Sequence, residues 1–151
     1  MNLIFETQRL QLKPIDRSDR HTLHEIFVDP FVRQYLCDDR IWSLEQVDEM
    51  LLENKRLFDE QKLGLWSIET KSNSEIIGFT GLWYFFEEEQ PQLVYALLPH
   101  ATGQGYATEA AQQILNYSFN ELGYTYLLAS IDRPNLNSHK VAQRLGMRQV
   151  E

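Results

Sequence analysis

Two glycines spaced by one residue, Gly103 and Gly105, are the residues best placed to do chemistry, and that chemistry is anion binding. An apolar run over residues 93–98 precedes them and reads as a buried strand. After them Ala107, Ala110, Ala111, Ile114, Ser118 and Leu122 fall on one helical face. A helix that starts there points backbone N–H groups outward without intrahelical partners, and its dipole adds partial positive charge. Such an entrance suits a phosphate or pyrophosphate. Glycine at 103 and 105 lets the backbone approach a bulky anion with no Cβ in the way. Glycine spacing alone fits a plain strand-to-helix turn equally well.

A second string, residues 135–147, carries Asn135, Asn137, Ser138 and His139 ahead of Val141 and Leu145. It reads as a helix capped by Asn137, with Val141 and Leu145 toward the core and Gly146 as its stop. The other reactive residue types are less organised. Cys37 is the one cysteine and reads as a spectator thiol, so a disulfide within the chain is excluded and a reducing cytoplasm fits. His21, His24, His100 and His139 show no metal-binding spacing with Cys or carboxylates.

The elements that must position these strings follow from periodicity. Residues 3–14 alternate apolar and polar and read as a first strand; 16–28 reads as a helix stopped by Asp29-Pro30, and 31–36 as a further helical turn or two. Ser43 followed by Gln46 is a capping box. Its helix carries Val47, Met50, Leu51, Asn54 and Phe58 and ends near Leu63-Gly64. Residues 65–70, 75–86 and 92–98 read as strands, 124–131 as another, and 135–145 as the last helix. The aromatic group from Trp83 to Phe86 is core in part, with some members lining a cleft. These elements imply one α/β domain over residues 1–151, a mixed sheet with helices on both faces.

The 151 residues suit one core. No apolar run approaches the roughly 20 residues of a membrane span, and residues 1–7 carry no secretory pattern. The net charge of −8 argues against a general nucleic-acid binder. It is compatible with a cationic acceptor such as an amine, and equally with solubility alone.

Residues 102–110, Thr-Gly-Gln-Gly-Tyr-Ala-Thr-Glu-Ala, resemble the acetyl-coenzyme A loop of the GNAT N-acetyltransferases, Arg/Gln-x-x-Gly-x-Gly/Ala. Thr102 stands where that family has Arg or Gln, and Gly105 and Ala107 stand at its Gly/Ala positions. The Tyr-Ala-Thr-Glu-Ala tail, the opening string from Glu6 to Lys13, and Asp29-Pro30 through Leu36 resemble the RimJ/RimL branch of ribosomal-protein acetyltransferases. The string from Asn135 to Met147 resembles the family's Asn-x-x-Ser-x-x-Val-x-x-x-Leu-Gly-Phe segment. The resemblance covers almost the whole chain. It implies the acyl-CoA N-acyltransferase (GNAT) fold, a central, mostly antiparallel sheet.

The resemblance also implies a site and a reaction. Acetyl-CoA would lie along Ala96, Leu97 and Leu98, on the loop of Gly103, Gln104, Gly105, Tyr106, Ala107 and Thr108, and against Asn135 and Ser138. Asn135 would meet the pantetheine arm and Ser138 would assist the leaving thiolate, since Ala142 occupies the position where another branch has its proton-donating Tyr. A backbone N–H of residues 95–98 would steady the oxyanion. No metal is implied. Gln92 stands where RimL-like sequences have a Glu, which leaves Glu87, Glu88, Glu89, His100, His139 or water as the base.

Three functions remain open at this point. One is acetylation of an α-amine of a protein, peptide or amino acid. Another is acetylation of a small-molecule amine such as an antibiotic or polyamine. The third is a catalytically weak coenzyme-A-binding module. In the resembling family a final strand follows Met147–Glu151, and here it is absent. The expectations are that residues 147–151 pair poorly within their own chain and that the chain is either a truncated form or part of a homodimer.

Overall fold

The computed structural model describes residues 2–36, 40–85, 88–131 and 133–150. Cys37, Phe86 and Glu87 lie outside the described residues, as does Glu151. Five strands form one antiparallel sheet in chain order: β1 (Phe5–Glu6), β2 (Leu10–Pro14), β3 (Leu65–Thr70), β4 (Ile76–Trp83) and β5 (Gln92–Leu97). The helices are α1 (Arg20–Val28), α2 (Pro30–Leu36), α3 (Leu44–Gln61), α4 (Tyr106–Asn120) and α5 (Leu136–Arg144). Among the described residues no helix is long and apolar enough to cross a membrane.

Local chemistry explains most boundaries. Asp29 ends α1 and caps α2, its Oδ1 accepting the N–H of Phe31 at 2.9 Å and of Val32 at 3.3 Å. The Ser43–Gln46 capping box opens α3 with both reciprocal bonds formed. The single strand expected over residues 3–14 is instead two strands. Thr7 breaks it: its N–H donates to the Leu10 carbonyl and its hydroxyl accepts the Leu10 N–H at 3.1 Å, turning the chain back on itself.

The sheet separates two apolar layers. Leu10, Leu12, Trp66, Ile68 and Leu82 pack with Ala110, Ala111 and Ile114 of α4. On the other side Leu23, Ile26 and Phe27 of α1 and Val47 and Met50 of α3 pack with Phe79 and Val94. Trp66 is fully buried, and its indole N–H donates to the Leu3 carbonyl at 2.8 Å. Asn54, fully buried on α3, donates to the Ile15 carbonyl at 2.9 Å and accepts the Leu65 N–H at 2.8 Å, tying α3 to the sheet.

Residues 124–131 do not form the expected strand, so the sheet is antiparallel rather than mixed. The segment runs beside β5 and makes one backbone bond to it, Leu93 N–H to the Leu128 carbonyl at 2.9 Å. In a parallel ladder the Ser130 N–H would donate to the Leu93 carbonyl. It donates instead to Oε1 of Gln92 at 3.1 Å, and the ladder stops after one rung. Neither this segment nor α5 is deeply packed: Leu127 is buried, but no residue of α5 is, and Val141 and Leu145 are half-buried where core positions were expected. Residues 147–150 form no ladder.

Candidate active site

The interrupted ladder opens a cavity of about 520 Å³ along the free edge of β5. Leu98 N–H donates to the Ile77 carbonyl at 2.8 Å, so the even-numbered residues of β5 bond to β4. Leu93, Tyr95 and Leu97 therefore turn their backbone groups to the other edge, where only Leu93 meets residues 124–131. The side chains divide too. Leu93, Tyr95 and Leu97 lie on the α4 side, and Val94, Ala96 and Leu98 on the α1–α2 side.

One end of the cavity is the glycine loop. Gly103 and Gly105 have φ of +79° and +83°, the left-handed region that disfavours any Cβ, and Gly105 is the N-cap of α4. The first bond of the helix runs from Glu109 N–H to the Gly105 carbonyl, so the N–H groups of Tyr106, Ala107 and Thr108 open the helix without intrahelical partners. The Thr108 hydroxyl is buried on the cavity wall and has no partner among the described residues. A buried unpaired hydroxyl costs about 1–3 kcal/mol, and a ligand oxygen here would relieve it. Thr102 lines the cavity, but its hydroxyl donates to the Pro99 carbonyl at 2.8 Å.

A buckle between the first hairpin and α4 fixes this loop. Glu109 accepts the Thr7 hydroxyl at 2.5 Å, the Arg9 backbone N–H at 2.9 Å and Arg9 Nε at 2.7 Å. Arg9 Nη1 donates to the Gln104 carbonyl at 2.9 Å, and its guanidinium lies 4.4 Å from the centre of the Tyr106 ring. Burial alone would push the Glu109 carboxyl up. The hydrogen bonds from Thr7 and Arg9, with the guanidinium charge, outweigh it and hold the carboxyl below its ordinary range. The sequence reading missed this use of Arg9 and Glu109, because 100 residues separate them.

The other wall is α5. Asn135, not Asn137, is its N-cap: Asn135 Oδ1 accepts the Ser138 N–H at 3.3 Å, and the side-chain NH2 remains for a ligand. Ser138 lies on the cavity wall, and its hydroxyl bonds to no other described residue. Tyr95 reaches across from β5 and donates its hydroxyl to the Ser138 carbonyl at 2.8 Å. Burial pushes that phenol up to about 12, so it stays a neutral donor.

Of the residues expected to hold a coenzyme, Ala96, Leu97, Gly103, Gly105, Tyr106, Ala107, Thr108, Asn135 and Ser138 come together on this cavity. Leu98 and Gln104 stand off its wall, with the Leu98 N–H committed to β4 and the Gln104 carbonyl to Arg9. Lys140 and Arg144, which sequence reasoning did not single out, are the charged side chains of the wall; the described lining contains no carboxylate. That is a local reversal of the chain's net charge of −8.

The base candidates disperse. Gln92 is buried, and its amide NH2 donates to both oxygens of Glu88 at 3.1 and 3.2 Å, holding a carboxylate beside the start of β5. His100 pairs with Glu75 at 2.7 Å, and neither lines the cavity. Glu89 is exposed.

An α4 entrance with unpartnered first-turn N–H groups thus stands beside a sheet edge opened by a stopped ladder. The family model described as acetyltransferase (GNAT) domain matches residues 9–148, and the chain belongs to that family. The Bacillus subtilis protein YkkB, uncharacterized itself, is 33% identical over 144 residues, covering 93% of this chain and 83% of that protein. An acetyltransferase structure from Agrobacterium tumefaciens aligns with a TM-score of 0.84 at 22% identity, over 97% of this chain and 84% of that one. Two more structures align with a TM-score of 0.76 over 93% of this chain. One is RimL, a ribosomal L7/L12 α-N-protein acetyltransferase, at 18% identity and 78% of its chain. The other is a spermidine N-acetyltransferase from Vibrio cholerae in complex with CoA and spermine, at 19% identity and 81% of its chain. This chain is an acetyl-CoA-dependent acetyltransferase sharing their fold.

Proposed function

We propose that the chain transfers the acetyl group of acetyl-CoA to an α-amine of a protein, peptide or amino acid, in the manner of the RimJ/RimL branch. The observation that carries the coenzyme half of this reading is the Gly103–Gly105 entrance, with the buried Thr108 hydroxyl at its rim and the cationic α5 wall opposite. The pyrophosphate lies on the loop backbone, and the pantetheine arm follows the free edge of β5 past Asn135.

The thioester then sits where β5 and α5 come closest. The neutral amine nitrogen attacks the carbonyl carbon, the new N–C bond replaces the C–S bond, and the proton shed by the nitrogen passes through Ser138 or water to the departing thiolate. Of the backbone donors on β5, those of Tyr95 and Leu97 face this edge, and they are the groups able to receive the developing oxyanion. Ser138 stands ready to hydrogen-bond the departing thiolate, with its helix held in place by Tyr95.

The α-amine follows from the basicity of the acceptor. An α-amine has a pKa of about 7.7–8.0 and a lysine side chain near 10.4, so at neutral pH far more of the former is free to attack. A cavity without a carboxylate on its described wall favours the acceptor that least needs a base. The lone Cys37 fits action in a reducing cytoplasm. The test is release of free coenzyme thiol from acetyl-CoA on addition of single amines. Faster release with N-terminal dipeptides than with Nα-blocked lysine supports the reading, and the reverse order overturns it.

A further inference from the structure

The cavity is not confined to the coenzyme side of the sheet. It also takes in Val94 and Ala96, whose side chains belong to the α1–α2 side, together with Phe31 and Val32 of α2 and Phe85 beyond β4. It therefore passes around the edge of β5, with the glycine loop and α5 on one side and α2 on the other. A thioester at that edge is reached by its coenzyme from the first side, which leaves the α2 side for the acceptor.

The chemistry of that second half is specific. Val32 and Val94 form a buried apolar floor, at 5% and 8% exposed. Phe31 and Phe85 also line this part of the cavity, at 37% and 42% exposed. Both valines belong to an apolar cluster in which Phe27 stacks on Trp42 at 4.7 Å and tilts against Phe79 at 5.4 Å. The Phe31 backbone N–H is held by the Asp29 cap at the start of α2. No carboxylate lines any described part of the cavity, and its charged residues, Lys140 and Arg144, are cations.

We propose that the α2 half is an acceptor subsite for a primary amine borne next to a hydrophobic group, above all the α-amine of an apolar or aromatic N-terminal residue, and that it rejects polyamines. The proposal rests on the acetyltransferase reading above. One nitrogen of the acceptor reaches the thioester as the free amine, and the adjoining side chain lies between Phe31, Phe85 and the valine floor. A polyamine would have to lay a second ammonium against hydrocarbon with no counter-charge on the described wall. Burial of each methylene of the acceptor is expected to raise kcat/KM by roughly three- to fourfold.

The experiment measures kcat/KM for Phe-, Leu-, Ala-, Gly- and Asp-initiated dipeptides and for spermidine, by thiol release. Phe- and Leu-initiated acceptors are expected to exceed the Gly-initiated one at least tenfold, with spermidine lowest. Equal rates across the dipeptides, or spermidine first, would overturn the proposal while leaving the acetyltransferase reading intact. Phe31→Asp supplies the missing counter-charge at a partly exposed position. It should lower kcat/KM for the Phe-initiated dipeptide about tenfold and raise that for spermidine, and coenzyme A affinity by calorimetry reports whether the variant is folded. An unchanged preference in a variant that still binds coenzyme A counts against the subsite. Should no amine release thiol, the acetyltransferase reading fails, and calorimetry on the coenzyme-A-loaded protein still decides the subsite: N-acetyl-phenylalanine amide binding more tightly than N-acetylspermidine supports it, and the opposite order overturns it.

Discussion

Replacing Glu109 with Gln should loosen the glycine loop without touching the cavity wall. Glu109 accepts three hydrogen bonds through two carboxylate oxygens: Thr7 Oγ1 and the Arg9 N–H on Oε2, and Arg9 Nε on Oε1. An amide keeps one acceptor oxygen and turns the other position into a donor, so either the Oε2 pair or the Oε1 bond is lost. A hydrogen bond to a charged group contributes about 1.5–3 kcal/mol, and for a chain of this size each kcal/mol moves Tm by roughly 2–4 °C. The exposure of the Arg9 side chain, 42%, favours the lower end, so a fall of about 3–6 °C is expected. Arg9 also loses the partner that aims Nη1 at the Gln104 carbonyl, so coenzyme A affinity should drop severalfold.

The pH dependence gives this prediction its sign. The folded Glu109 carboxyl lies below its ordinary range, so its contribution is complete above about pH 4.3, the unfolded value. It disappears as pH falls through the lowered folded value. Thermal unfolding of both proteins by circular dichroism should therefore show a constant difference in Tm from pH 8 to 5 that closes only below about pH 4. Equal Tm at pH 7, or a gap that closes near pH 6, would refute the buckle.

Gly105→Ala forces a Cβ at φ +83°, about 1–2 kcal/mol of strain, so coenzyme affinity by calorimetry should fall roughly 5- to 30-fold. Gly105→Glu adds like charge and should abolish binding. Ser138→Ala should lower kcat about 10²-fold with coenzyme affinity nearly unchanged, whereas Asn135→Ala should chiefly weaken coenzyme binding through loss of the α5 cap; full kcat in the Ser138 variant would assign that proton to water. Hydrogen exchange should be faster for amides in residues 124–131 and α5 than for β3 and β4, because one backbone rung holds the segment to β5 and no residue of α5 is buried.

Where the physics is local, sequence and structure agree. The Ser43–Gln46 box, the Asp29-Pro30 stop and the paired glycines before an apolar helical face each act within a few residues, and each lies where its chemistry requires. The departures come from contacts made at long range. Residues 124–131 carry a strand pattern, yet the Gln92 side chain, 38 residues away, takes the donor that would have extended the ladder. Asn135 displaces Asn137 as the α5 cap because the helix begins at Leu136, two residues before an Asn137 cap would start it. Arg9, Glu109 and Tyr95 look like ordinary surface and strand residues until the fold brings them against the loop and α5. Gln92 reads as a lost base, but its structural part is to hold Glu88 and Ser130 at the mouth of the opened edge.

The central claim is that the Gly103–Thr108 entrance delivers acetyl-CoA to an amine at the edge of β5. Its most direct test is free thiol release from acetyl-CoA with a Phe-initiated dipeptide, together with mass spectrometry of the dipeptide, for the wild-type chain and Gly105→Glu. The wild type should yield stoichiometric thiol and Nα-acetylated dipeptide, and the variant neither. Acetyl-CoA bound without turnover by the wild type, or undiminished turnover in Gly105→Glu, would contradict it.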